Sequence, residues 1–427
     1  MLVKEVLASV DVIPDPYIKS ATYAKIGERL ARAKNNLYKT AFLRAVETAN
    51  EIEDPVTMFR ALLSVGYSME KAGLKSGKRI YRSVLEDSRM LPAPQRDLLM
   101  QSAATYLLAL GDVNEAVTYA LEIANPEVRN ETLLEALRVN TRMIEKERLK
   151  VAYRLRKSKL IVDSIDSEPQ RSKAMLELIK AYLLMESYEN AISLLKEINT
   201  KDWARQAFKE VAFYLKDKGT LGHYVDTLEA AANALIEKFG NDFRVELAFV
   251  FALSGEGVPA IELIRSLKDG EKVLVDMALE LLERDHDVLP NFISAMNEEE
   301  ATVVGKAVMN RILERPEKGD PAIIKAIGNG TTSEEVWTKI ARYYVIRGEL
   351  EGAVRIANLI RDGRLRSIIM TDVAHHLLKE GEVEKAIDAA LEVRDPRFSS
   401  ILVSEILIKA LGEGLRGRVK SWNGSKR

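Results

Sequence analysis

Gly111 to Pro126 reads GDVNEAVTYALEIANP, and Gly381 to Pro396 reads GEVEKAIDAALEVRDP, the same frame written twice, 270 residues apart. No other feature constrains the fold as tightly. Gly111 is followed at the fifth position by Ala116 and ten residues later by Pro126; Gly381, Ala386 and Pro396 keep the same offsets. Gly348, Ala353 and Gly363 fit, as do Gly255, Ala260 and Gly270, while Ala45 and Pro55 keep the second half. Each position has a physical reason. A glycine ends a helix because it alone takes the left-handed cap conformation without penalty. Ala116, Ala120 and Ile123 then share one face of a new helix, as do Ala386, Ala390 and Val393. Small residues there let a neighbouring helix approach closely. The closing Pro or Gly stops that helix, and Asp-Pro or Asn-Pro opens the next.

Weaker copies fill the intervals, with second helices expected near Ile80, Ala152, Ala191, Leu228, Asn291 and Ala322. Counted with the clearer copies they make eleven units. Ala45 to Ala386 spans 341 residues in ten steps, 34.1 residues each. A period of this size is that of a solenoid, because one helix pair cannot bury its apolar face alone and must stack on another. No alternating strand pattern and no linker interrupts the series. The expected architecture is all-α: one continuous α-solenoid over 1–411, irregular at 283–330, where the Gly-x4-Ala signature is missing, followed by a basic flexible tail over 412–427.

Gly-x4-Ala in a helix-turn-helix unit of this length resembles the tetratricopeptide (TPR) repeat superfamily, with GDVNEAVTYALEIANP the best match. The likeness covers roughly Tyr17 to Leu411. Two departures make it TPR-like. The aromatic and Leu-Gly signature of the first helix is mostly missing, and the closing Pro follows the Ala by ten residues, about half a turn early. The resemblance implies an all-helical superhelix whose groove binds partner proteins or peptides.

Composition sets limits on function. Lys plus Arg number 63 against 64 Asp plus Glu, so the net charge is -1 and no global attraction to nucleic acid or anionic membrane exists. Cysteine is absent, which excludes disulfides, thiolate metal sites and a Cys nucleophile. The longest apolar stretch, near Val245 to Leu253, is roughly half of what a bilayer needs. The N-terminal MLVKEVLASVDVIPDP is too short and too acidic for a secretory signal, so a cytoplasmic location is expected, with no membrane contact. Charged residues at 30% with only four glutamines resemble a thermophile's balance.

The strongest candidate for chemistry is a basic run between Arg142 and Lys159, with eight cations against Glu145 and Glu147, a local net of +6. Arg142, Lys146, Lys150, Arg154 and Lys157 follow one face if the run is a single helix. They are the candidate binding residues, for an acidic protein or nucleic acid. The plainer reading is a solvated face opposite the stripe Ile144, Val151, Leu155 and Val162. Arg60, Arg96, Arg129, Arg171, Arg205 and Arg366 recur just after turns, where the helix dipole opposes positive charge. Their recurrence predicts ion pairs or stem packing between adjacent repeats.

The four histidines (His223, His286, His375, His376) contain no pair four apart, so no metal site is expected. Asp285-His286-Asp287 reads as a polar turn. In GNGTTSEEVW (Gly328 to Trp337), Thr332 and Glu335 fit a capping box better than a phosphate cradle. The tail carries Arg416, Arg418, Lys420, Lys426 and Arg427 around Trp422. No catalytic group set occurs in a recognisable frame. The expected function is a non-enzymatic scaffold or adaptor without cofactor, holding a protein or peptide partner. The alternative is a helical-repeat nucleic-acid binder using 142–159.

Overall fold

The computed structural model describes residues 3–146, 150–285 and 287–424, with side chains through 411. The described residues form α-helices and short 3-10 turns, with no strand. The chain divides into two compact units, Met1–Val211 and Ala212–Arg427.

The helices, in order, are α1 (Val3–Ser9), α2 (Pro16–Arg32), α3 (Tyr38–Asn50), α4 (Pro55–Lys71), α5 (Gly77–Asp87), α6 (Ala93–Ala109), α7 (Val113–Leu121), α8 (Pro126–Lys146), α9 (Val151–Asp163), α10 (Gln170–Leu184), α11 (Tyr188–Leu195) and α12 (Lys201–Asp217). They continue as α13 (Val225–Phe239), α14 (Arg244–Leu253), α15 (Gly257–Arg265), α16 (Gly270–Arg284), α17 (Leu289–Ser294), α18 (Glu298–Glu314), α19 (Pro321–Gly330), α20 (Glu334–Ile346), α21 (Leu350–Leu359), α22 (Gly363–Lys379), α23 (Val383–Leu391) and α24 (Pro396–Gly424). All eleven expected second helices exist, as the odd-numbered elements α3 to α23.

Within the first unit α2 packs on α3, α4 on α5, α6 on α7, α8 on α9 and α10 on α11; within the second the same holds from α14/α15 to α22/α23. First helices also pack on first helices of the next pair, as α4 does on α6 and α20 on α22. This is a divergent TPR-like helical-repeat fold. Residues 283–330, irregular in sequence, form ordinary pairs in which α17 is short. The backbone of α24 continues to Gly424, through most of the stretch expected to be a flexible tail.

The frame glycines act as expected. Gly111, Gly255, Gly348 and Gly381 have φ between 74° and 89°. After each, the next N–H reaches back to close the helix, as Asp112 N donates to Leu107 O at 2.9 Å and Glu382 N to Leu377 O at 2.9 Å. Gly73 and Gly219 fill the same slot, and so do Lys34 at φ 54° and Glu186 at φ 57°, which the glycine signature could not reveal.

The expected stacking face is buried: Ala116, Ala120 and Ile123, and equally Ala386, Ala390 and Val393. Ala116→Leu or Ala386→Leu is therefore expected to destabilise by about 1–3 kcal/mol through overpacking. A thermal melt of both variants that matches the parent chain would overturn this register. In three weaker copies the marked residue (Ala152, Asn291, Ala322) is exposed. Their cores are instead formed by Arg154 and Ser158, by Phe292 and Ile293, and by Ile323 and Ile324.

Candidate interaction surface

Each helix pair is closed by polar contacts between its first helix and the turn after its second. Fourteen residues before the cap residues Gly111, Glu186, Gly348 and Gly381 stand Asp97, Ser172, Glu334 and Ser367. Each accepts hydrogen bonds from the turn that closes its own pair. Asp97 takes Ala124 N at 2.9 Å and Asn125 N at 2.8 Å. Glu334 takes Arg361 N and Asp362 N at 2.9 Å each. The Ser172 hydroxyl takes Asn199 N and Thr200 N, and that of Ser367 takes Arg394 N. Buried turn amides otherwise lack partners, so these acceptors offset the cost of closing each pair. Their signal in the sequence is a polar residue at constant distance from the cap.

Ion pairs add to the ties. Lys78 contacts Asp112 and, at 2.9 Å, Glu115, and these carboxylates push the Lys78 ammonium pKa up. Of the recurrent arginines, Arg129 on α8 pairs with Asp166 in the turn after α9 at 3.4 Å, and Arg366 on α22 with Glu392 at the end of α23 at 2.6 Å, so these ties close one helix pair and do not link adjacent repeats as expected. Arg60 and Arg171 have no ion pair among the described residues, so the rule is not general.

Arg265 forks onto Glu300, Nε to Oε1 and Nη2 to Oε2 at 2.7 Å each, and holds the Glu300 carboxyl below its ordinary value of 4.5. Because the folded-state value is the lower one, this pair contributes stability above the unfolded value, and loses it as pH falls through the folded value. The stability difference between the parent chain and Glu300→Gln is thus expected to be larger at about pH 7 than in acid below the ordinary glutamate value. Urea unfolding at the two pH values measures it, and a difference independent of pH would remove the assignment.

The basic run is not one helix. Arg142 and Lys146 end α8, and Lys150 precedes α9, which carries Arg154 and Lys157; Glu147 and Arg148 lie outside the described residues. The change of helix breaks the continuous cationic face. Arg142 is paired with Glu135 at 3.0 Å. Arg154 is only 8% exposed, and its Nη1 donates to Asn140 Oδ1 at 3.1 Å. Asn140 Nδ2 donates in turn to Arg154 O at 2.7 Å and Ser158 Oγ at 2.9 Å. Arg154 therefore occupies the stacking slot that alanine fills elsewhere, and belongs to the core. Lys157 is half-buried, and Lys150 is exposed. The structure brings Arg142 and Lys146 together at a cleft of about 580 Å³ beside Gly111 and Met143, and separates the other three from it.

The Thr332–Glu335 capping box does not form. Ser333 precedes α20, the Thr332 hydroxyl donates to Glu298, and Glu335 pairs with Lys306 at 2.6 Å. A capping box exists instead at Asn297 and Glu300, opening α18. His286 and the side chains of the basic tail, Arg416 to Arg427, lie outside the described residues. Among the described residues no group of three His, Cys, Asp or Glu converges, and no helix is long and apolar enough to cross a membrane.

Two further clefts lie in the second unit. One, of about 730 Å³, opens beside Tyr344, Leu350 and Ile356. The other, of about 590 Å³, lies between α22 and the start of α24 and is lined by Arg364, Ser367, Ile368, Thr371, Arg394 and Phe398, among others. Exposed large apolar side chains are frequent in this last part of the chain, and two of them, Ile368 and Phe398, line the cleft. Of eighteen among the described residues, seven lie from Ile368 onward: Ile368 and Leu391, then Phe398, Ile401, Leu407, Ile408 and Leu411 on α24. Residue-type counting missed these exposed positions, because they keep the same helical apolar pattern as buried ones.

No family model matches the chain, and no curated protein matches it. Solved structures that align with it include Ton1535 from Thermococcus onnurineus NA1, at 15% identity and a TM-score of 0.27, covering 94% of both chains. A circular tandem repeat protein with novel repeat topology aligns at 14% identity and a TM-score of 0.26, covering 94% of this chain and 98% of that one. The APC/C hetero-tetramer Cut9-Hcn1 aligns at 12% identity and a TM-score of 0.20, covering 90% and 96%. At these TM-scores none of them transfers a partner or an activity to this chain.

Proposed function

We propose that this chain is a non-enzymatic scaffold or adaptor that holds protein or peptide partners on the exposed faces of its helix pairs. The observation that carries the reading is the run of exposed apolar side chains from Ile368 to Leu411. On α24 Phe398, Ile401, Ile408 and Leu411 recur at helical spacing, and an exposed apolar helix face of this kind favours a partner, whereas apolar residues scattered singly do not. The faces are preformed by stacked helices, which lowers the entropic cost of binding. The nucleic-acid alternative rested on a continuous cationic face over 142–159, and the burial of Arg154 and the Arg142–Glu135 pair remove that support.

Affinity capture with the tagged full chain from its native lysate, with and without nuclease, tests the proposal. One protein retained in stoichiometric amount after nuclease supports a scaffold. Loss of every partner on nuclease treatment would replace it with the nucleic-acid reading.

A further inference from the structure

The last two repeats share a motif that the repeat frame does not require. Arg361-Asp362-Gly363-Arg364 opens α22, and Arg394-Asp395-Pro396-Arg397 opens α24, 33 residues later. Ile368 and Ile401 follow at the same offset, 39% and 60% exposed. The aspartates are committed to the backbone. Asp362 Oδ1 accepts from Arg364 N and Leu365 N, and Asp395 Oδ1 from Arg397 N and Phe398 N. Asp372, the other acid on the cleft wall, is held by Arg342 Nε at 2.8 Å.

The four arginines are not committed. Arg361, Arg364, Arg394 and Arg397 form no ion pair with any described residue. They stand at helix N-termini, where the dipole opposes positive charge, so an incoming anion relieves an unfavourable arrangement. Arg364 and Arg394 border the cleft of about 590 Å³, and Ile368 and Phe398 form part of its apolar wall. The lining hydroxyls are satisfied internally: Ser367 donates to Gly363 O and Thr371 to Ser367 O. What the cleft offers a ligand is therefore two free guanidinium groups and apolar surface.

We propose that this edge of the last two repeats is the docking site of an acidic peptide segment, whose carboxylates meet Arg364 and Arg394 and whose apolar side chain lies between Ile368 and Phe398. The proposal deepens the scaffold reading and rests on it. Guanidinium groups pair with carboxylates in a two-pronged geometry that fixes orientation as well as charge. Phe398 alone could stack a base, but Ile368 and Ile401 offer aliphatic surface that a peptide side chain matches and a nucleic-acid backbone does not.

A phage-displayed library of random peptides, selected on the full chain and counter-selected on Arg364→Glu/Arg394→Glu, tests this. The enriched peptides are expected to carry Asp or Glu beside Leu, Ile, Phe or Met. Fluorescence anisotropy of the best synthetic peptide should show at least about tenfold weaker binding to the double variant, and binding that weakens with salt. Phe398→Ser should weaken it as well, and Arg156→Glu, an exposed control on α9, should not. Circular dichroism confirms folding, and Arg364→Gln/Arg394→Gln repeats the test without charge reversal. No enrichment, enriched peptides without acids, unchanged affinity in both double variants, or preference for a single-stranded RNA oligonucleotide would each overturn the site. If nuclease-resistant capture of a protein persists unchanged with Arg364→Glu/Arg394→Glu, the scaffold reading stands and this site falls. If the parent chain captures no protein, the scaffold reading itself falls.

Discussion

Asn140→Leu is expected to destabilise the protein by about 3 kcal/mol, although leucine has nearly the same volume. Asn140 is 1% exposed and serves three polar groups of the facing helix: the Arg154 guanidinium, the Arg154 carbonyl and the Ser158 hydroxyl. Leucine fills the space and leaves those groups short of hydrogen bonds in a setting where water does not replace them. The loss comes from desolvated groups that lose a partner, so removing them as well should reverse it. The triple variant Asn140→Leu/Arg154→Met/Ser158→Ala is expected to recover most of the loss, because a buried polar cluster exchanged as a whole for apolar side chains is often neutral. Urea unfolding of the parent, single and triple variants measures both effects. A triple variant no more stable than the single one would show that Arg154 contributes through packing or other contacts instead.

The second large effect is expected at Gly77, which opens α5 against the middle of α4. A Cβ there would fall well inside contact distance of the Gly66 carbonyl oxygen and 2.7 Å from Glu70 Cγ. The carbonyl belongs to a helix backbone and cannot turn aside. Glu70 is also engaged, since its Oε1 accepts from Lys78 N at 3.0 Å and caps α5. Gly77→Ala must therefore push two helices apart, and a loss of about 2–3 kcal/mol is expected even though alanine is the better helix former. Gly222→Ala is the control: a Cβ at that position meets nothing within 4 Å. Equal melting temperatures for the two variants would contradict the close approach of α4 and α5.

Much of the fold was legible because helix ends and close packing each demand particular residue types. Glycine at a left-handed cap and alanine at a crossing point leave a periodic trace, and eleven second helices follow from it. The trace fades where another residue tolerates the same conformation, as Lys34 and Glu186 do, or where another side chain fills the crossing point, as Arg154 does. The basic run does not form the single cationic face expected of it, for a related reason. Counting charge assumes that every cation faces water, and the change from α8 to α9, together with the partner at Asn140, is not written in the local pattern. The Thr332–Glu335 box failed because Thr332 and Glu335 found partners on α18, and a tertiary contact outcompetes a local one when its geometry is better.

The candidate surface was less legible still. Ile368, Phe398 and Ile401 sit at ordinary helical spacing, and the doubled Arg-Asp-x-Arg motif looks like turn chemistry. By itself the sequence determined the unit, its period and the residues that cap and stack it, since those depend on conformational preference and side-chain size within a few residues. Only the tertiary structure decided which cations are buried or paired, which acids are already committed, and where apolar side chains remain uncovered. Those properties depend on what lies across a helix interface, some thirty residues away in the chain.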